Sequence, residues 1–401
     1  MRRRWLVGIF AVSALWAILV AVFSTDHVHQ IWGEMAGVGY GLALAVILVL
    51  RHSRTVDIAL GLSFVGGLLA PLGYLAANGL MQPEVAVVAR SGTWLIHQGT
   101  PYADPAVLAG TTDPNAYNPY LPVMALFGLP RAFFNLGLLT DPRVWFGVVF
   151  LAVFWLALRE GGARDAGRWA ILAAGSPVIA FELAVGGTDV PMVAFLCLGF
   201  AYLWVRKPLL AGLALGIGAS MKATAWPALL VAIALLAVRD GKRAVGRFTL
   251  TALAVVAVCV GPFVTGHPRA LVVNTIMFPL GLASVRSAAS SPLPGHIIAS
   301  TWPNAGHTVV VALLALAGLT VAFILVFRPP ATVPRAVALL AVAMTLMFVL
   351  APSTRFGYFI YPGALAIWVL AARAGRAAED ELGEIPVDFL PARVPDVPPS
   401  P

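Results

Sequence analysis

The sequence predicts an all-α, polytopic integral membrane protein, and three observations carry that prediction. The 401-residue chain is 60% hydrophobic and only 11% charged, with a mean hydropathy of +0.89. Soluble domains carry ~25% charged residues. Apolar runs long enough to cross ~30 Å of hydrocarbon recur along the whole chain. The basic residues gather in short clusters between those runs, which is how loops record membrane topology.

The runs fall at about 5–23, 36–50, 57–79, 143–158, 168–183, 189–205, 247–264, 307–327, 335–351 and 357–372. The stretch 208–238 is too long for one span and is interrupted near Lys222, so it reads as two short spans joined by a turn. About twelve transmembrane helices result. The N-terminal MRRRWLVGIFAVSALWAILVAVF has the basic and apolar parts of a signal peptide but no A-x-A-like cleavage site, so it reads as a retained anchor. Cys197 and Cys259 both lie inside apolar runs without a CxxC or Cys/His pattern, which supports neither a disulfide framework nor a zinc site.

Charge sets the orientation. With the N-terminus inside, 19 of the 26 lysines and arginines fall in cytoplasmic segments. Both termini are then cytoplasmic in a multi-pass plasma-membrane protein. The segment YLPVMALFGLPRAFFNLGLL (120–139) is apolar, but counting it as a span inverts every later loop, and Pro122 and Pro130 interrupt it. It is predicted as an interfacial or re-entrant element. Two large outer loops follow, 80–142 and 265–306. Residues 1–373 then form one membrane domain, and 374–401, acidic and Pro-rich, a disordered cytoplasmic tail without a catalytic role. The net charge of +8 does not point to nucleic acid, because the charges are scattered and form no phosphate-tracking patch. The GxxxG at Gly212–Gly216 lets helices approach closely.

Predicted helix centres are nearly free of charge. The ionisable residues gather at the outer ends of spans and in outer loops, among them Glu84, Arg90, His97, Glu182, Asp189, Lys222, Arg286, His296 and Arg355. A transporter is expected to place such groups near the midplane on broken helices. A one-sided layer suggests chemistry at the outer surface.

Within QPEVAVVARSGTWLIHQGTPY (82–102), Pro83 starts a helix over about 83–98 with Glu84 in its first turn. Glu84, Ser91 and Gln98 share a polar stripe, a pattern that suits a helix lying in the interface. Glu84 either complements the helix dipole, a contribution of ~0.3–1 kcal/mol, or serves as a general base facing an aqueous cleft. In ELAVGGTDVPM (182–192), Asp189 is a helix cap or a group that orients an acceptor hydroxyl or a neighbouring base. In GASMKATAWP (218–227), Lys222 either snorkels to the interface or offers a compact cation to a lipid-borne phosphate. It is one of only three lysines and the sole one predicted outside. Arg286 and His296 lie in the second outer loop, which suits a lid or an acyl-chain groove. Arg355, followed by Tyr358 and Tyr361, stands at an outer mouth as a candidate bidentate phosphate ligand, while the tyrosines suit an interfacial belt.

The ordered series resembles glycosyltransferase family 87, the polyprenyl-phosphate-mannose-dependent mannosyltransferases of the integral-membrane C-type fold. Its pieces are the acid opening the first outer loop, LIHQGTPY, YNPYLPVMALFGLP, SPVIAFELAVGGTDVPM, GIGASMKATAWP and RFGYFIYP, spanning about 82–362. The resemblance implies inverting transfer of a sugar, mannose above all, from a polyprenyl-phosphate donor to a glycolipid or glycan hydroxyl on the outer face. It implies Glu84 as base, Asp189 as supporting acid, and Lys222, Arg355 and Arg286 as phosphate ligands. Tyr117, Asn118, Tyr120 and His296 fall to the acceptor side or to support. The family position matching Glu84 usually carries Asp, and one extra methylene moves the carboxylate by roughly 1 Å. No cofactor is implied, and no DxD or other acid cluster marks a metal site. Two rival classes remain: a lipid-linked-glycan transporter or flippase, and a catalytically silent membrane assembly subunit. The enzyme requires one cleft joining Glu84 to Lys222; the transporter requires a polar midplane cavity.

Overall fold

The computed structural model describes residues 3–285, 287, 289–302 and 305–383, with 378–383 as backbone alone. Helices are the only regular secondary structure among the described residues, with one isolated bridge between Ser290 and Thr354 in place of any sheet. Each predicted run is helical: α1 (Arg3–Phe23), α2 (His27–Val49), α3 (Thr55–Ala77), α4 (Pro83–Gln98), α5 (Pro142–Glu160), α6 (Ala166–Ala174), α7 (Pro177–Val185), α8 (Val190–Trp204), α9 (Pro208–Ala219), α10 (Trp226–Arg239), α11 (Lys242–Gly266), α12 (Pro294–Thr301), α13 (Gly306–Phe327), α14 (Val333–Leu350) and α15 (Ile360–Gly383).

The helices fall on the expected runs, though not all of them are full-length. Among the described residues, eight helices are long and apolar enough to cross a membrane, or nine if α6 and α7 form one span. That pair bends by 58° at Gly175–Ser176, immediately before Pro177, whose ring excludes a continuous α-turn. Helices α8, α9 and α10 have 15, 12 and 14 residues. At 1.5 Å per residue the first reaches only ~22 Å. The breaks lie at Gly186–Gly187, at Lys207–Pro208 and at Lys222, where glycine, proline and charge interrupt the apolar pattern.

Helix α8 is tolerated because of where it sits. Helix α8 is apolar on every side and buries 12 of its 15 residues, the mark of a helix surrounded by protein. It packs against α5, α9 and α15 in the main core, with Phe150, Phe154, Phe200 and Trp368 fully buried. By contrast α13 buries only Gly306 and Val310, leaving Leu316, Leu319, Phe323 and Phe327 exposed, as a lipid-facing helix requires.

The interfacial expectation for 120–139 meets a 3₁₀ turn, Pro122–Gly128, and a short helix, Leu129–Phe134, too short together to cross. Gly92 of α4 lies directly on Gly128 of this turn, leaving no room for a Cβ on either. The predicted helix over 83–98 is present, with Gln98 exposed and Glu84 half-buried, but Ser91 in the middle of its polar stripe does not face water. Ser91 is 1% exposed, donating to Val87 O (2.7 Å) and accepting from Asn118 Nδ2 (3.0 Å). A small hydroxyl with both roles satisfied is compatible with burial, so Ser91 seals a contact.

Helix α15 runs on through Gly383, over the sequence AGRAAEDELG, rich in strong helix formers. The rest of the acidic tail, from Glu384, lies outside the described residues.

Candidate functional site

Four segments meet at one end of the bundle. The first is the start of α4, where Pro83 occupies the first helical position and places Glu84 in the first turn. Its entry is fixed by Gln82, whose N–H donates to Val185 O (2.8 Å) and whose side chain meets His29 Nε2 (2.7 Å). The second is the turn between α7 and α8, which carries Asp189 and needs Gly186 at φ 145. The third is the break between α9 and α10, with Lys222 in extended conformation. The fourth is the link from α14 to α15, with Arg355, Tyr358 and Tyr361.

Two ion pairs organise the cluster. Arg355 Nη1 lies 2.5 Å from Glu84 Oε1, and Lys222 Nζ lies 2.6 Å from Asp189 Oδ1. The Tyr361 hydroxyl donates to the same Asp189 oxygen (2.5 Å), which leaves Thr224 Oγ1 to donate to Tyr361 (2.5 Å). Lys222 also sits 5.1 Å from the ring centre of Tyr358 and 5.6 Å from that of Tyr120, within cation–π reach. Burial works against the Lys222 ammonium, yet the Asp189 charge and hydrogen bond, with the Tyr358 phenol and the Glu84 carboxylate, outweigh it and hold its pKa above the ordinary lysine value. Burial pushes the Tyr120 phenol well above its usual range, with Glu84 and Asp189 adding to the rise, so it stays neutral. Among the described residues, Glu84 Oε2 is buried and has no hydrogen-bond partner. One oxygen of this carboxylate is held by a cation and the other is an open acceptor.

Glu182 is a third carboxylate at the cluster and was not singled out as a site residue by the sequence. It lies close enough to Asp189, Arg355, Glu84 and Lys222 for all four charges to act on it. Its carboxyl group packs against Gly187 and Gly357, and a Cβ on Gly357 would fall inside it. The sequence did carry a signal. Glu182 and Asp189 flank one Gly–Gly turn, and a glycine lies between Phe356 and Tyr358 where an interfacial belt needs none.

The structure brings together Glu84, Asp189, Lys222, Arg355 and Tyr120; Tyr358 and Tyr361 join them, and the belt reading of that pair gives way to ring and hydroxyl contacts inside the cluster. Tyr117 and Asn118 are used elsewhere. Tyr117 stacks on Phe278 (4.4 Å, 7°) and meets Ser284 Oγ (3.1 Å). Asn118 is 2% exposed, and its side chain bonds Ser91 Oγ, Pro101 O and the N–H of Tyr120. Its N–H donates to Asn274 Oδ1 (2.8 Å), tying the two long loops. Asn118 therefore sets the backbone from which Tyr120 reaches the cluster. His296 Nδ1 donates to Pro352 O (3.0 Å), three residues before Arg355. Ser291 reinforces that link, its N–H donating to Thr354 O (2.9 Å) and its Oγ accepting from Phe356 N–H (3.2 Å). Arg286 lies outside the described residues.

Beneath the site, Arg143 is fully buried and forks onto Asp141 (Nε–Oδ1 3.0 Å, Nη2–Oδ2 2.8 Å). Its remaining Nη1 donates to Leu80 O (2.9 Å) and Ala184 O (2.8 Å). This clasp joins the approach to Glu84 to the end of the helix carrying Glu182. Among the described residues no group of three or more His, Cys, Asp or Glu has the geometry to hold a metal ion.

Fold and cluster together define a multi-pass, all-α membrane protein with two buried or half-buried ion pairs meeting at one end. Residues 118–352 match glycosyltransferase family 87, and the chain belongs to that family. The matched stretch contains Asp189 and Lys222; Glu84 lies before it and Arg355 just after it. No curated protein matches the chain. Among solved structures it is similar to ArnT from Cupriavidus metallidurans, at 17% identity and a TM-score of 0.46, covering 76% of this chain. The chain spans 57% of the length of that protein.

Proposed function

We propose that the protein transfers a sugar, mannose in the first instance, from a polyprenyl-phosphate donor to a glycolipid or glycan hydroxyl on the outer face of the membrane. Family membership supports glycosyl transfer in general. The observation that carries the finer reading is the meeting of Glu84, with its unpartnered Oε2, and the cations Lys222 and Arg355 in one cluster.

In this reading Glu84 Oε2 takes the proton of the acceptor hydroxyl as its oxygen attacks the anomeric carbon. The bond from that carbon to the phosphate oxygen breaks on the opposite side, and its electron pair leaves with the lipid phosphate. The anomeric centre inverts, and the products are the glycoside, the polyprenyl phosphate and a protonated Glu84. Lys222 stays charged, since its pKa is held above the ordinary value, and it offsets the charge developing on the leaving phosphate. Asp189 and Tyr361 hold that ammonium in place. Arg355 has two tasks in competition: a phosphate on its guanidinium replaces the Glu84 carboxylate, so donor binding frees the base.

The test is a transfer assay in membranes with polyprenyl-phosphate mannose and a panel of glycolipid acceptors. General-base catalysis contributes typically ~10²–10⁴-fold, so Glu84→Gln should lower transfer by at least that lower bound with the protein still present in the membrane. Full activity in Glu84→Gln removes Glu84 from the mechanism. Transfer from a nucleotide sugar but not from the lipid donor removes the donor assignment.

A further inference from the structure

A second polar site lies at the opposite end of the same helices. Helix α14 runs between them for 18 residues, ~27 Å, about the thickness of a bilayer core, with Arg355 beyond its C-terminus and Arg335 in its first turn. At the Arg335 end a cavity of about 660 Å³ is lined by Trp204, Thr332, Pro334, Arg335, Ala338 and Arg373. Arg376 stacks over Trp204 at 4.8 Å and donates to Gly161 O (3.3 Å), which fixes the indole wall. A neighbouring cleft of about 210 Å³ shares Arg335 and adds Arg328.

Among the described residues the acids at this end are already committed, Asp240 to Arg206 and Arg239, and Glu160 to Lys207. Arg328, Arg335 and Arg373 make no ion pair among the described residues. Three guanidinium groups at one boundary, two of them on a shared cavity, suit a phosphodiester, which each can bind through a planar fork.

We propose that this cavity is a binding site for the headgroup of an anionic phospholipid, separate from the glycosyl-transfer cluster and independent of it. The lining distinguishes a lipid from a free phosphate. Ile324 and Leu339 line the second cleft, each four residues deeper into its span than Arg328 and Arg335. Four residues of helix are ~6 Å, so the apolar side chains stand where acyl chains leave a headgroup held by the arginines. Beyond them the exposed faces of α13 and α14, with Phe323, Leu316, Val342 and Leu346, continue the apolar path. Basic pockets between transmembrane helices are a recurrent solution for anionic headgroups.

The experiment uses the purified full-length chain in detergent, with lipid binding followed by native mass spectrometry and by thermal shift. The probes are phosphatidylglycerol, phosphatidylcholine and inorganic phosphate. The wild type should retain phosphatidylglycerol in preference to phosphatidylcholine, and millimolar phosphate should not displace it. Arg335→Gln/Arg373→Gln should weaken phosphatidylglycerol binding roughly tenfold or more. Both side chains are exposed and make no ion pair among the described residues, so the lipid-free melting temperature should not move. The control Arg51→Gln/Arg54→Gln removes equal charge elsewhere and should leave the affinity unchanged. Unchanged affinity in the first variant, equal loss in the control, equal binding of phosphatidylcholine, or displacement by free phosphate would each overturn the proposal.

Discussion

Arg143→Met tests whether the buried clasp beneath the site holds it together. Arg143 has no exposed surface and its partner Asp141 is 3% exposed at the side chain, so solvent cannot take over either charge. Removing one partner of such a pair strands the other, at a cost of ~3–5 kcal/mol. The same substitution leaves the Leu80 and Ala184 carbonyls without their donor. Arg143→Met/Asp141→Asn should recover much of the loss, because Asn can still cap α5, as Asp141 Oδ1 now does for the Arg143 N–H (2.9 Å). What remains lost is the donor to two carbonyls, ~1–3 kcal/mol for each that water does not reach. The assay is reversible unfolding in mixed micelles, with the double-mutant cycle giving the coupling energy. A single-variant loss below about 1 kcal/mol, the range of exposed pairs, would refute the buried-clasp argument.

Three further outcomes are expected. Lys222→Met should destabilise by ~3–5 kcal/mol by stranding buried Asp189, and Lys222→Met/Asp189→Asn should relieve it; equal losses in both would show that the pair is not coupled. Because the folded Lys222 pKa lies above its unfolded value of ~10.4, the stability from this pair is fully present below that pH and is lost only as pH rises through the folded value. An unfolding profile in which the wild type loses stability between pH 7 and 9, and the double variant does not, contradicts this. Gly357→Ala should cost ~1–3 kcal/mol by forcing a Cβ into the Glu182 carboxylate, with Gly357→Ala/Glu182→Ala relieving the overlap. No relief there would mean that the strain lies in the Gly357 backbone and not in the contact.

Span positions were legible because hydrocarbon thickness acts on sequence in one dimension: a run of apolar residues must be long enough, and α1, α2, α13 and α14 each satisfy that locally. Helices α9 and α10 were legible as two short spans broken at Lys222; that α8 is shorter than a full crossing was not. A helix surrounded by other helices is released from the length requirement, and composition alone cannot tell protein neighbours from lipid. The polar stripe of α4 misled for a related reason, since a buried serine with both hydrogen-bond roles filled looks the same in sequence as a solvated one.

The site was legible as a set of outlying charges but not as pairs. Glu84 meets Arg355 across 271 positions and Asp189 meets Tyr361 across 172, distances over which no periodicity carries information. Glu182 and Gly357 were hidden because their significance is mutual: the carboxylate requires a neighbour without a Cβ, and the glycine requires a group to make room for. The geometry also gives the glutamate at 84 a physical context. Its Oε1 reaches Arg355 at 2.5 Å while Oε2 stays free. An aspartate on the same backbone would withdraw the carboxylate by roughly 1 Å, stretching the ion pair beyond hydrogen-bonding distance unless the 351–356 turn moved toward α4. That turn is held by Ser291, His296 and the buried Thr354, whose Oγ1 donates to Phe348 O (2.7 Å). With the Arg355 side so anchored, Glu84→Asp should separate the two tasks of the carboxylate, keeping an acid at the site while loosening its hold on Arg355. If the Glu84–Arg355 pair restrains the base, Glu84→Asp should lower the apparent KM for the donor phosphate and reduce kcat; an unchanged donor KM would mean that Arg355 does not trade Glu84 for phosphate.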